Sequence, residues 1–384
     1  MHATSILSIL ENPGAAIQDV VERLGKEPGP QPFDLAVVFV SPHHAETLGP
    51  LAQVLKETGL VTHILGVTGE TIVGQDHEIE NAPAISLWAI RFPQGVTVTP
   101  VRLEATRQGL TGWPPETLAQ HPTNQILILL ADPFSFPTDE WLASLNTEKP
   151  ALQVVGGNAS GGHQPGNNRL ALGSEIWETG AVGVLIEGPV RIRTVVSQGC
   201  RPIGHPLIVT RTEKNLVREL GRRPALEVFQ EIFEDLEPSD QRRVLTGLHL
   251  GRVINEYQER FNRGDFLVRN VLGATEEGAI AITDQLRVGQ TVQFHVRDAD
   301  SADEDLRELL LSAQNSKPAA ALLFSCNGRG TRLFNSADHD VSLIHEILGK
   351  IPVAGFFAMG EIGPIGGRNF LHGFTASIVL FESE

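Results

Sequence analysis

Cys326 and Arg329 share the turn Ser325-Cys326-Asn327-Gly328-Arg329-Gly330, which puts a thiol beside a guanidinium and glycine-freed backbone N–H groups. Such surroundings hold negative charge on sulfur, the form in which cysteine attacks an electrophile. His339, His345 and His372 are the downstream histidines available as a base. The same residue types also suit the wall of a ligand pocket or plain packing at a buried strand end, so all three roles stay open for Cys326. Asn327 and Arg329 would line that pocket with it. A second turn, Gln198-Gly-Cys-Arg-Pro-Ile-Gly204, sets Arg201 directly after Cys200. Arg201 and Arg329 each suit bidentate capture of a carboxylate or phosphate, the alternative being an internal ion pair with an acid such as Glu361 or Asp298.

Glu70 and Glu361 each directly follow a glycine in a glycine-rich turn, while the corresponding place in Gly156-Gly-Asn158-Ala-Ser160-Gly-Gly162 is uncharged. Paired carboxylates serve acid–base work or take a ligand's amino group; a carboxylate beside a turn also satisfies local N–H groups. Asn158 and Ser160 add polar side chains that would face the Cys326 turn. The chain has no Gly-x-Gly-x-x-Gly opening a helix, no Gly-Lys-Ser/Thr and no His-Glu-x-x-His, so neither a cofactor nor a metal is expected. Asp338 to Asp340 reads as a solvated loop or helix cap.

The elements that must position these turns recur. The runs Leu35–Val40, Ile126–Leu130 and Ala319–Phe324 are apolar without polar alternation, which predicts strands covered on both faces. Each is followed by a short helix with one apolar stripe, a second buried segment, a glycine turn and a further strand, at spacings that suit βαβ units. Short hairpins after Ile90 and Ile186 continue as β-meanders. Asn12-Pro13 is a helix start, and Ser301 with Glu304 reads as a capping box. The predicted fold is α/β, with repeated βαβ units and β-meanders in mixed sheets, in two domains.

A chain of 384 residues, 41% hydrophobic and 20% charged, can bury the cores of two domains. Its formal charge of −16 opposes nucleic-acid binding, which needs clustered Lys and Arg. No apolar run approaches the roughly 18 residues of a membrane span, and Met1–Leu10 lacks the pattern of a signal peptide. Membrane insertion is not expected, and the predicted location is the cytoplasm. With only Cys200 and Cys326 present, reduced thiols are the simpler expectation.

Gly156-Gly-Asn-Ala-Ser160, Gln198-Gly-Cys-Arg-Pro-Ile-Gly204, Phe266-Leu-Val-Arg-Asn270, Phe324-Ser-Cys-Asn-Gly-Arg-Gly330 and Gly355-Phe-Phe-Ala-Met-Gly-Glu-Ile-Gly-Pro364 occur in this order. Together they resemble the FIST proteins, the F-box and intracellular signal transduction family, from about Phe33 to Phe381. The resemblance implies an N-terminal helix and linker over 1–32, a FIST N-terminal domain over 33–225 and a C-terminal domain over 226–384. It also implies a sensory module for small ligands, amino acids or related metabolites, that relays their presence to signalling partners. Some relatives carry an F-box or an output domain; here the relay is expected to run through a separate protein. The resemblance carries no catalytic residues, so the expected site rests on Cys326, Asn327, Arg329, Glu361, Arg201, Asn158 and Ser160 as ligand contacts. A cysteine-dependent enzyme and a non-catalytic scaffold are the competing expectations.

Overall fold

The computed structural model describes residues 1–30, 32–106, 109–113 and 125–382. They form two compact units: Met1–Val196 with Leu306–Leu371 and Thr375–Glu384, and Ser197–Asp305 with His372–Phe374.

The first unit is built from three repeats. In each, a first strand (Phe33–Val40, Gln125–Ala131, Pro318–Cys326) is followed by a helix (Leu48–Glu57, Thr138–Glu148, His339–Leu348). A second strand (Val61–Thr68, Gln153–Asn158, Val353–Ala358) then lies parallel to the first. A later strand (Ile85–Arg91, Ala181–Glu187, Thr375–Glu382) pairs antiparallel on the first strand's other side. The predicted α/β class with mixed sheets is what forms.

Between the second strand and that later one, each repeat sends a hairpin into a sheet other than its own. Thr71–Gly74 and His77–Glu80 extend the third repeat's sheet, Leu170–Leu172 and Glu175–Trp177 the first's, and Glu361–Ile365 and Arg368–His372 the second's. The exchange is cyclic, so no repeat completes its sheet alone. The edge opposite is treated likewise: Thr97–Thr106 joins the second sheet and Arg191–Gln198 the third. The first sheet receives His2–Ser8, so residues 1–32 hold a strand as well as the expected helix and linker. That helix starts as predicted, the Ala15 N–H donating to Asn12 Oδ1 at 2.9 Å with Pro13 following.

The apolar first strands are explained by burial on both faces. Alternate residues, among them Val37, Phe39, Ile128, Leu130, Leu322 and Phe324, meet in one core shared by the three sheets. Their neighbours pack under helices: Ala36 and Val38 under Val20 and Leu51, Leu127 and Leu129 under Trp141 and Leu142, Ala321 and Leu323 under Val341 and Ile344. Phe39, Phe324 and Phe356 stand with ring centroids 5.6 to 6.4 Å apart at the centre.

Where the strands press together, only glycine fits. A Cβ on Gly355 would overlap the Leu323 carbonyl oxygen, whereas one on Gly25 meets nothing within 4 Å. Gly355→Ala is expected to lower the stability of this unit by about 3 kcal/mol, and Gly25→Ala to leave it nearly unchanged. All four tryptophans, at positions 88, 113, 141 and 177, lie in this unit. Urea unfolding followed by their fluorescence therefore checks both variants; equal midpoints would show that the strand pair tolerates a side chain there.

In the second unit, Cys200–Glu213 pairs with Thr291–Arg297 on one side and Leu216–Leu220 on the other. The order from there through Leu248–Val253, Phe266–Ala274 and Ile280–Ile282 closes on itself as a six-stranded barrel. Ala225, Val228 and Ile232 of the helix Ala225–Glu234 pack against Leu250, Val292 and Phe294 in its core. The helix Ala299–Gln314 starts before the expected capping box: the Ala302 N–H donates to Asp298 O at 3.0 Å, placing Ser301 in the first turn. Among the described residues no helix is long and apolar enough to cross a membrane.

Candidate functional site at the strand tips of the first unit

The glycine turns of the three repeats meet. The Ser160 N–H donates to Thr68 O at 3.3 Å, the Asn158 N–H to Gly360 O at 2.9 Å and the Met359 N–H to Asn158 O at 3.0 Å. Ser160 Oγ accepts from the Glu70 N–H at 2.9 Å and donates to Phe357 O. Glycine permits this closeness, since a Cβ on Gly69 would stand 2.7 Å from Phe356 Cβ and one on Gly161 3.0 Å from Thr68 Cβ. The turns thus touch directly rather than enclosing a hollow where they meet. Asn158 and Ser160 serve this junction: Asn158 Oδ1 accepts from Thr138 Oγ1 at 2.9 Å, and both residues are buried.

Beside the junction lies the Cys326 turn, of which Cys326, Asn327 and Gly328 are half-buried. Its N–H groups do not converge. The Asn327 N–H donates to Ala358 O at 3.1 Å, that of Arg329 to Cys326 O at 2.8 Å and that of Thr331 to Glu80 Oε1 at 2.9 Å. The Gly328 N–H alone among these serves the thiol, donating to Cys326 Sγ at 3.3 Å. The N–H groups of Asn327, Arg329 and Thr331 are thus spent on protein oxygens and do not form the expected anion nest.

Arg329 is 1% exposed and paired with the fully buried Asp340, Nε to Oδ2 at 2.8 Å and Nη2 to Oδ1 at 2.7 Å. Ser325 Oγ donates to the same carboxylate at 2.7 Å, and His339 Nδ1 lies 3.0 Å from Oδ1 while its ring stacks on Phe334. Burial opposes the Asp340 charge, but Arg329 and His339 outweigh it and hold the carboxyl well below its ordinary range. Asp340 is thus neither solvated nor a cap, because a guanidinium taken out of water requires its charge. The internal ion pair claims the bidentate face of Arg329, leaving Nη1 buried without a hydrogen-bond partner.

Glu361 lies in a strand of the exchanged hairpin, fully buried. Its Oε2 accepts from the Thr375 N–H at 3.0 Å and from Thr375 Oγ1 at 2.8 Å, while Oε1 has no hydrogen-bond partner in this geometry. Burial pushes the carboxyl up to about 8, against the Thr375 bonds, the nearby Cys326 thiol and Arg329. Glu78 is likewise pushed up to about 8 by burial and by the Asp340 charge; its Oε1 accepts from the Val341 N–H at 3.0 Å and its Oε2 is buried without a partner. At neutral pH the cluster thus holds one ion pair and two carboxyl groups that favour the protonated form, beside Cys326.

Glu70 does not share these surroundings. It pairs with the exposed Arg332, which also donates to Asn327 O at 2.9 Å. Arg201 belongs to the second unit, where its Nε donates to Asp298 Oδ2 at 2.7 Å and its Nη2 to Asp240. The internal-acid alternative for Arg201 is the one realised. His345 is held on Ile351 O at 3.0 Å, and Cys200 is buried among Val253, Phe266 and Val268. The structure therefore joins Cys326, Asn327, Arg329 and Glu361 with Asp340 and Glu78, two acids the sequence reading did not select. A buried arginine demands an acid partner, and Asp340 beginning a helix soon after Arg329 was the available signal; Glu78 had none. Among the described residues no three His, Cys, Asp or Glu side chains cluster as a metal site.

The FIST N domain model matches residues 34–223 and the FIST C domain model residues 225–364. An uncharacterized protein of Mycobacterium bovis is 43% identical over 362 residues, covering 91% of each chain. An uncharacterized protein of Mycobacterium tuberculosis is 42% identical over 355 residues, covering 90% of this chain and 91% of the relative.

Proposed function

Because the chain belongs to the FIST family, whose domains are associated with sensing in signal transduction, we propose that it is a small-molecule sensor rather than an enzyme. Its ligand is an amino acid or related metabolite, and its output passes to a separate signalling protein in the cytoplasm. The observation that carries this reading is the set of buried polar atoms without partners, Arg329 Nη1 and Glu361 Oε1, beside the half-buried Cys326. Such atoms cost about 1–3 kcal/mol each when left unsatisfied, and a ligand oxygen or nitrogen would relieve them. Asn327 Oδ1, also buried without a partner, extends the same contact surface.

A thermal-shift screen against amino acids, organic acids and nucleotides tests the proposal. A ligand at a hundredfold excess over its Kd stabilises the folded state by about 2.7 kcal/mol, so at least one compound should raise the midpoint. The response should vanish in Arg329→Met/Asp340→Leu, which replaces the ion pair by apolar residues. A flat response across the panel would overturn sensing of these compound classes.

A further inference from the structure

We infer that Cys326 is a nucleophile that captures an aldehyde ligand reversibly, with Glu361 handling the proton and Arg329 receiving the carbonyl oxygen. This deepens the sensor reading and rests on it.

The chemistry follows from what surrounds the thiol. Cys326 is half-buried at the tip of a central strand, and its Sγ already accepts the Gly328 N–H at 3.3 Å. Arg329 shares the Cys326 turn, its N–H donating to Cys326 O at 2.8 Å, and Cys326 stands opposite Ala358 in the strand register, three residues before Glu361. Arg329 and Glu361 each bring a buried atom with no hydrogen-bond partner, Nη1 on Arg329 and Oε1 on Glu361. Nη1 is a donor, and a protonated Glu361 supplies a second. Two donors beside a nucleophile match an oxygen that becomes negative as sulfur attacks the carbon bearing it. An aldehyde carbonyl has that oxygen and is more electrophilic than a ketone or an amide.

The step balances without an oxidant or co-reactant. A bond forms between Sγ and the aldehyde carbon, the carbonyl π bond breaks, and its electron pair goes to oxygen. Protonated Glu361 gives its proton to the oxygen as sulfur attacks and takes up the thiol proton in exchange, so the product is a neutral hemithioacetal and the Glu361 carboxyl is restored. The reverse sequence releases the aldehyde, so the event is capture, not turnover.

The test uses the full chain, reduced, with propanal labelled with carbon-13 at C1. The wild type is expected to show a hemithioacetal resonance distinct from the free aldehyde and its hydrate, and Cys326→Ser to lack it. Glu361→Gln keeps the side-chain shape but cannot exchange a proton, so capture followed by stopped mixing should slow roughly a hundredfold. Slowing of Cys326 alkylation by iodoacetamide in the presence of propanal, with Cys200 unaffected, gives an independent readout. No adduct in the wild type, or the same adduct in Cys326→Ser, overturns capture. If metabolites still shift the thermal midpoint in that case, the sensor reading stands and only its covalent chemistry fails; an adduct with a flat metabolite panel would instead support capture and remove the amino-acid class.

Discussion

Asp340→Ala is expected to destabilise the first unit by about 3–5 kcal/mol, the cost of leaving a buried charge without its partner. Arg329 is 1% exposed, and its two hydrogen bonds to this carboxylate are the means by which it keeps its charge inside the protein. The loss should fall on Ser325 and His339 as well, since both bond the same oxygens. Urea unfolding read by tryptophan fluorescence measures the change in the unit that holds the pair. Arg329→Met/Asp340→Leu is the informative companion: with both charges removed, most of the stability should return. If the single and double variants unfold alike, the pair is not what holds the Cys326 turn.

The stability of the first unit should fall as pH rises, and Glu361 accounts for a definable part of the fall. Its carboxyl titrates at about 8 in the folded chain against 4.5 when unfolded. Between these values the folded protein keeps a proton that the unfolded chain has released, so folding is favoured fully below the lower value and loses that contribution up to the upper one. Glu361→Gln does not titrate. Relative to wild type, the variant should therefore gain on the order of a few kcal/mol between pH about 5 and about 8.5. Taking this difference cancels Glu78, which titrates in the same direction in both proteins. Asp340 contributes the opposite dependence, because its lowered carboxyl loses stability only as pH falls below the ordinary carboxylate range. A stability difference that does not change with pH would show that Glu361 is ionised when folded.

The sequence made the central strands legible because burial on both faces leaves an unmistakable local mark, as in Val37-Val38-Phe39-Val40. The hairpin exchange left no such mark. Thr71–Gly74 and Glu361–Ile365 are short strands whose partners, Val353–Ala358 and Gln153–Asn158, lie far away in the chain, and both were read as parts of glycine turns. Nothing local reveals which sheet a short segment will join. The site shows the same division. Cys326, Asn327 and Arg329 were readable because they share one turn, and Glu361 because it follows a glycine. Their charge partners were not: Asp340 resembles a surface acid until the burial of Arg329 is known. Arg201 was selected on local likeness to Arg329, but its acids, Asp298 and Asp240, come from distant parts of the second unit.

The rate of Cys326 alkylation by iodoacetamide, measured by peptide mass spectrometry with and without the best thermal-shift hit, tests most directly whether the strand tips of the first unit bind the ligand. Cys200, 1% exposed, supplies the internal reference. A saturating hit should slow modification of Cys326 by roughly tenfold or more, the factor that accompanies about 1.4 kcal/mol of protection, and leave Cys200 as slow as before. A compound that stabilises the protein while Cys326 reacts at its original rate would place the ligand elsewhere and contradict the assignment of Cys326, Arg329 and Glu361 to one site.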